Sequence, residues 1–151
     1  MRWFFCAALL GSAAAPLAGQ QADAERGVLA VVRQLFDGMK LHDTVKMRAV
    51  LHSQARLVSS GLKDGAPTAS VESTDAWLTA VSRGVEPYDE RISHPVVQVD
   101  GGLASVWMEY HFYVGERFSH CGVDSFHLVR TAEGWRIVDL ADTRRREGCT
   151  P

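Results

Sequence analysis

Two neighbouring β-rich runs carry the residue types that acid–base chemistry needs: Glu109 and His111 in the first, His120 in the second. If Gly115-Glu116 forms a two-residue turn, Phe112 lies opposite Ser119, Tyr110 opposite Cys121, Met108 opposite Val123 and Val106 opposite Ser125. That register sets His111 and His120 nearly opposite, with Glu109 a neighbour on the same face. A carboxylate beside an imidazole orients the ring and raises its basicity, which suits a general base acting on an acidic carbon or on water. The alternative is a polar cluster at an interface or sheet edge. Asp124 shares the face of His120 but lies four residues along the strand, roughly 13 Å at extended rise, so the two form no dyad.

Asp142 closes the last β-rich run and precedes Thr143-Arg144-Arg145-Arg146. A carboxylate there could orient a ligand or act as a base, and the arginines could grip a carboxylate or phosphate in fork geometry. A salt-bridged strand end with a solvated tail is the plainer reading. Arg56, alone in a moderately apolar segment, is a buried partner for Asp142 or Asp124. Trp77, Trp107, Tyr110, Phe112 and Tyr113 could stack on a flat ligand, Tyr110 and Trp77 foremost because each has a polar tip; each is otherwise ordinary core. No CxxC, HExxH or HxH spacing occurs. His120 and Cys121 are adjacent on a strand and point to opposite faces, which excludes a shared zinc and a Cys–His nucleophile pair. Gly101-Gly102 sits in a hairpin and leads into no helix, so it cradles no phosphate.

The elements that position these residues come in the order helices, then sheet. Val28, Val31, Val32, Leu35, Phe36 and Met39 recur at helical spacing, and Asp23 is placed to cap a helix running to about His42. Asp43 caps a shorter helix with Met47, Val50 and Leu51 as its stripe. Arg56 to Ser60 reads as a short strand before a turn region over Gly61 to Pro67. Ser73 or Thr74 caps a third helix with Ala76, Trp77, Ala80 and Val81 on one face, ending at Gly84. Ile92–Val99, Leu103–Val114, Phe118–Arg130 and Trp135–Asp142 then alternate as four strands joined by hairpin turns. This predicts one α+β domain, helices laid across an antiparallel meander.

A formal charge of −2 and a pI near 6.3 leave no basic footprint for nucleic acid. Residues 1–20 read as a signal peptide, with Arg2, an apolar stretch from Trp3 to Leu10, and small residues leading to Gly19. The stretch is too short and too broken to anchor the chain in a membrane. The expectation is an exported domain over 21–151, cleaved between Ala18 and Ala22, periplasmic or secreted. Cys6 leaves with the peptide, and Cys121 and Cys149 remain as an even pair suited to a disulfide. Both sheet faces of the meander are too apolar to be simply solvated, so one faces helices and a cavity and the other a second subunit, a homodimer.

The stretch from Asp100 to Cys149, DGGLASVWMEYHFYVGERFSHCGVDSFHLVRTAEGWRIVDLADTRRREGC, with the helical pattern before it, resembles the nuclear transport factor 2-like superfamily, in its small SnoaL-like and lumazine-binding-like bacterial branch. The resemblance implies a cone-shaped fold in which a strongly bent sheet wraps a long N-terminal helix and leaves a pocket at one end, with dimers common. It implies no single reaction, because isomerases, dehydratases, cyclases, binding proteins and dimerisation modules share the fold. Three functions stay open, none needing a cofactor. The first is binding of a small, largely apolar organic molecule, with Trp77, Tyr110, Phe112, Arg56 and Asp124 as lining. The second is an isomerase, dehydratase or hydrolase using Glu109 with His120, or Asp142, as base. The third is a dimerisation module with a filled cone.

Overall fold

A computed structural model describes residues 17–149. Most of the signal-peptide segment and its Cys6 lie outside the described residues. Helix α1 spans Leu17–Lys40, starting upstream of the expected cap, so Asp23 sits inside it and pairs with Arg26. Its apolar stripe is the expected one: Val28, Val32, Leu35 and Met39 are buried, and Phe36 packs edge-on against Phe126 at 5.8 Å between ring centroids. Burying a side chain of this size contributes about 1.5–3 kcal/mol, so this stripe fixes the helix to the sheet. Just past the helix, His42 takes a positive φ of 55°, and its ring nitrogens lie 2.8 and 3.0 Å from the carbonyl oxygens of Val81 and Glu86. That contact ties the end of α1 to the third helix.

Helix α2 (Thr44–Arg48) is capped as expected, with Asp43 accepting from the Lys46 amide at 2.9 Å. Val50 and Leu51 fall beyond it, Leu51 opening the next strand. β1 runs over Leu51–Lys63, much longer than the sequence pattern predicted, and turns through Asp64 and Gly65, both at positive φ, into β2 (Ala66–Ser73). β2 was not anticipated because it is exposed along its whole length and so carries no hydrophobic alternation. Helix α3 (Thr74–Ser82) is capped by Ser73, but its buried residues are Leu78 and Val81, with Ala76 exposed.

The four-strand meander is present as β3 (Tyr88–Asp100), β4 (Leu103–Val114), β5 (Arg117–Thr131) and β6 (Gly134–Thr143). Together the strands form one six-stranded sheet in the order β2-β1-β6-β5-β4-β3, antiparallel except for the parallel pair β1–β6. Register irregularities interrupt β1–β6, β3–β4, β4–β5 and β5–β6. Each such bulge bends its strand and adds twist, and the sheet curls around α1 without closing. Ala104, Val106, Met108, Leu128 and Ile137 complete the core on the inner face.

One bulge decides the chemistry. The Gly115-Glu116 turn forms as expected, with Val114 opposite Arg117 and Tyr113 opposite Phe118. Ser119 is then left unpaired, so Phe112 lies opposite His120, Tyr110 opposite Gly122, Met108 opposite Asp124 and Val106 opposite Phe126. Every pairing beyond the turn is displaced by one residue from the sequence expectation, and one residue exchanges the two faces of β5. His120, Asp124 and Phe126 therefore join Tyr110 and Phe112 on the inner face, while Cys121 joins His111 on the outer one.

Candidate functional site

A cavity of about 440 Å³ opens between the inner face of the sheet and helices α1 and α3. Phe36, Met39, Val81 and Leu140 give it an apolar wall, and polar side chains from all six strands gather opposite. Of the residues singled out from the sequence, Trp77, Tyr110, Phe112, His120, Asp124 and Asp142 line it. Glu109 and Arg56 do not. Glu109 stands on the outer face, where its carboxylate lies 3.4 Å from His94. His111 is outer as well, packed against Phe118, so the expected Glu109–His111–His120 constellation is not assembled. The unpaired Ser119 is the reason. Arg56 is largely exposed and pairs with Asp139 at 3.5 Å, reaching neither Asp142 nor Asp124. Trp107 is more than half exposed on the outer face, and Tyr113 sits under the Arg91 guanidinium and against Phe118.

Asp142 is the hub of the polar wall. Ser59 donates to its Oδ1 at 2.5 Å, Arg144 Nε donates to its Oδ2 at 2.5 Å, and the Tyr110 hydroxyl lies 3.4 Å from the same Oδ2. Tyr110 donates chiefly to the Thr143 carbonyl at 2.8 Å. Burial and the negative charges of Asp142, Glu90 and Asp124 push its phenol well above the ordinary value, so the hydroxyl keeps its proton. Gly122 makes this approach possible. A Cβ at that position would overlap the Thr143 carbonyl and stand 2.8 Å from Tyr110 Cε1, so the end of β6 and the phenol close over a position that only glycine leaves empty.

Beside this hub sits a carboxyl pair that sequence reading missed in part. Asp124 is 2% exposed, and its Oδ2 is buried with no donor facing it. Its neighbour within hydrogen-bonding reach is the carboxyl of Glu90 on β3. Two carboxylates are acceptors only, so the contact is a hydrogen bond when one of them holds a proton. Burial, with the charge of Asp142 adding to it, raises Glu90 from 4.5 to about 7. Burial and the charge of Glu90 raise Asp124 well above the usual carboxylate range, with Arg144 acting the other way. Both carboxyls thus hold their protons to higher pH than free ones do. Glu90 escaped notice because the strand was expected to begin at Ile92. The alternation Tyr88, Glu90, Ile92 extends the inward face two steps further back, and that was the available signal.

His120 completes the wall between the rings of Tyr110 and Phe112, at 5.7 and 4.9 Å. Burial foremost, then the charge of Arg144, lowers its pKa, which favours a neutral imidazole. Among the described residues no group of three His, Cys, Asp or Glu side chains is arranged to hold a metal ion.

The model of the family described as "Putative lumazine-binding" matches residues 23–140, most of the chain, α1 and the sheet included. The chain belongs to this lumazine-binding-like family. Solved structures show that its fold is the nuclear transport factor 2-like one. A nuclear transport factor 2-like protein of unknown function from Shewanella baltica is 16% identical with a TM-score of 0.67, over 83% of this chain and 97% of its own. A point variant of Rv3472 from Mycobacterium tuberculosis, also of unknown function, is 14% identical with a TM-score of 0.69, over 91% of this chain and 80% of its own. A "putative dehydratase" of the superfamily from Streptomyces avermitilis is 14% identical with a TM-score of 0.63, over 83% and 98%. No curated protein matches the chain. At these identities the likeness is one of fold, and the chemistry of this lumazine-binding-like domain has to be read from its own cavity.

Proposed function

We propose that this lumazine-binding-like domain takes up a small, largely apolar organic molecule in the cone and moves a proton on it, as a cofactor-free enzyme of isomerase or dehydratase type. The observation that carries this reading is the Glu90–Asp124 pair in the wall of an otherwise aromatic and aliphatic cavity. A buried carboxyl and a half-buried one sharing a proton supply an acid and a base at the same pH, the arrangement that abstraction of a proton from carbon and its return elsewhere require. In an isomerisation the ionised carboxyl takes a proton from a carbon next to a carbonyl, and the protonated partner delivers one to a second carbon. In a dehydration that proton goes to the departing hydroxyl. Tyr110, held protonated, becomes a donor for a developing oxyanion once its hydroxyl turns away from the Thr143 carbonyl. His120 and Asp142 flank the site as positioning groups, and Trp77 and Phe112 form the flat walls a ring would lie against.

The leader-like residues 1–20 and the disulfide between Cys121 and Cys149, with Cα atoms 5.8 Å apart, support an exported location. No described helix is long and apolar enough to cross a membrane. Val96, Leu103, Trp107 and Phe118, exposed together on the outer face, support a homodimer through the sheet. The test begins with native mass spectrometry of the protein from its source and a thermal-shift screen of small cyclic ketones and hydroxy ketones. The best stabiliser is then incubated in D₂O with wild type, Glu90→Gln and Asp124→Asn. Deuterium uptake at carbon by wild type, reduced at least 100-fold in both variants, is expected. Equal uptake in all three, or no stabiliser and no co-purifying molecule, would refute the reading.

A further inference from the structure

A second, wider cavity of about 1130 Å³ lies beyond the polar wall of the first, between the β1–β2 hairpin and the segment that follows β6. Its walls hold Arg144, Arg145 and Arg146 with Ser60, Ser119 and Thr143, against one lining carboxylate, Glu147. Arg144 is engaged by Asp142, whereas among the described residues no carboxylate pairs with Arg145 or Arg146. His120 and Arg144 line both cavities and form the partition between them.

The segment carrying these arginines is unusually well fixed for a strand tail. Arg145 exchanges two backbone hydrogen bonds with Cys121, each 3.0 Å, the Arg144 amide donates to the Ser60 carbonyl at 3.1 Å, and the disulfide from Cys149 to Cys121 closes the far end. The backbone is thus tied to β1 on one side and β5 on the other, and this fixed segment brings Arg144, Arg145 and Arg146 into the cavity lining.

We propose that this outer cavity is an anion site, taking a carboxylate or phosphate group carried by the molecule whose apolar body occupies the cone. The identity of that molecule rests on the function proposed above; the anion site stands on the arginines alone. The charges dictate the orientation. An anionic group inside the cone would face Glu90, Asp124 and Asp142, whereas at the outer cavity it meets Arg145, Arg146 and the outward edge of Arg144. The anionic end therefore points outward past His120 and the neutral end reaches the carboxyl pair. Guanidinium forks suit two-oxygen anions, and the neighbouring Ser60 and Ser119 hydroxyls add donors.

The direct test is an NMR titration of the full mature protein with inorganic phosphate and, separately, acetate, on wild type and on Arg145→Ala/Arg146→Ala. Both residues are exposed and outside the cone, so the variant retains the fold, checked by its unchanged core methyl spectrum. The expected result is saturating shifts of the Ser60–Leu62 and Thr143–Glu147 amides, with affinity at least 10-fold weaker in the variant. The stronger of the two anions names the group. No saturation with either, or equal affinity in the variant, overturns the site. A second arm compares octanoate with octanamide by thermal shift. Octanoate stabilising wild type more, and the variant no more, than octanamide supports a single ligand spanning both cavities; equal stabilisation in wild type overturns that link. Saturation by phosphate with neither octyl compound touching cone residues keeps the anion site and counts against the cone reading alone.

Discussion

β4 and β5 carry an aromatic ring, a histidine and an acid on each face: Phe112, His120 and Asp124 inside, Phe118, His111 and Glu109 outside. On the inside, Asp124 is almost wholly buried beside a second carboxyl, and its affinity for a proton rises accordingly. On the outside, Glu109 keeps more than half of its side chain in solvent and meets a single exposed histidine, His94. The residue types are the same and the chemistry is not, because desolvation and the sign of neighbouring charges set the proton affinity. One unpaired serine in β5 assigns each residue to its side.

The largest expected effect comes from filling the space that brings the inner groups together. Gly122→Val places methyl groups into the Thr143 carbonyl and the Tyr110 ring, so we expect a loss of at least about 3 kcal/mol in chemical denaturation, to the point of failing to fold. Val123→Gly, one step along on the other face, alters packing at a half-buried site and should cost about 1 kcal/mol. Comparable losses at the two positions would mean the inner face is not the tightly closed one.

The outer face holds the disulfide. Cys149→Ser opens a loop with a sequence separation of 28, for which the loss is about 2–4 kcal/mol, seen as a lower denaturation midpoint with a slope no smaller than that of the bridged protein. Intact mass before and after reduction gives the two-proton shift of about two daltons expected of one bridge. A protein without that shift contains no such bridge.

What was legible beforehand was the set of features that repeat. The stripe from Val28 to Met39, the Asp43 and Ser73 caps and the four alternating strands all follow from periods of 3.6 and 2, and they place the helix and the meander. What was not legible depends on single residues without a period. The Ser119 bulge has no compositional mark, so the alternation of β5 read in isolation was right while its pairing was displaced, and with it the Glu109–His120 contact. β2 hides because an exposed edge strand needs no apolar face. Glu90 was missed for a subtler reason: a charged residue inside a strand pattern reads as the strand's end, yet here it is part of the site.

The carboxyl pair yields a pH signature that the outer acid should lack. Glu90 rises from 4.5 to about 7 on folding, so the folded chain holds a proton that the unfolded chain releases. Stability is therefore undiminished below about pH 4.5 and falls as pH climbs through 7, by about 2–3 kcal/mol. The groups facing Glu90 are Asp124 from β5, Asp142 from β6, Tyr110 from β4 and Arg144 beyond β6; the hydrogen bond with Asp124 and the charge of Arg144 favour its ionisation, and burial with the charge of Asp142 outweighs them. Glu90→Gln keeps the shape and donates an N–H to Asp124 at every pH. Its stability should match wild type near pH 4.5 and exceed it by about 2–3 kcal/mol at pH 8, while deuterium uptake is lost. Parallel stability curves for the two proteins would show that no shared proton exists.

The smallest effect completes the contrast. Glu109→Gln removes a charge of the same kind as Asp124→Asn does, from the same pair of strands. Yet Glu109 is half in solvent, and its His94 contact is an exposed pair of the sort that contributes about 0–1 kcal/mol. We expect a change within about 0.5 kcal/mol, diminishing further in about 0.5 M salt, and no change in deuterium uptake. Asp124→Asn should instead abolish uptake at little cost in stability, or even with a gain at high pH, since it removes a carboxylate held where no donor other than the Glu90 proton reaches it. A loss of uptake in Glu109→Gln would move the reacting groups to the outer face. That would require β5 to pair without the Ser119 bulge, which the opposition of His120 to Phe112 contradicts.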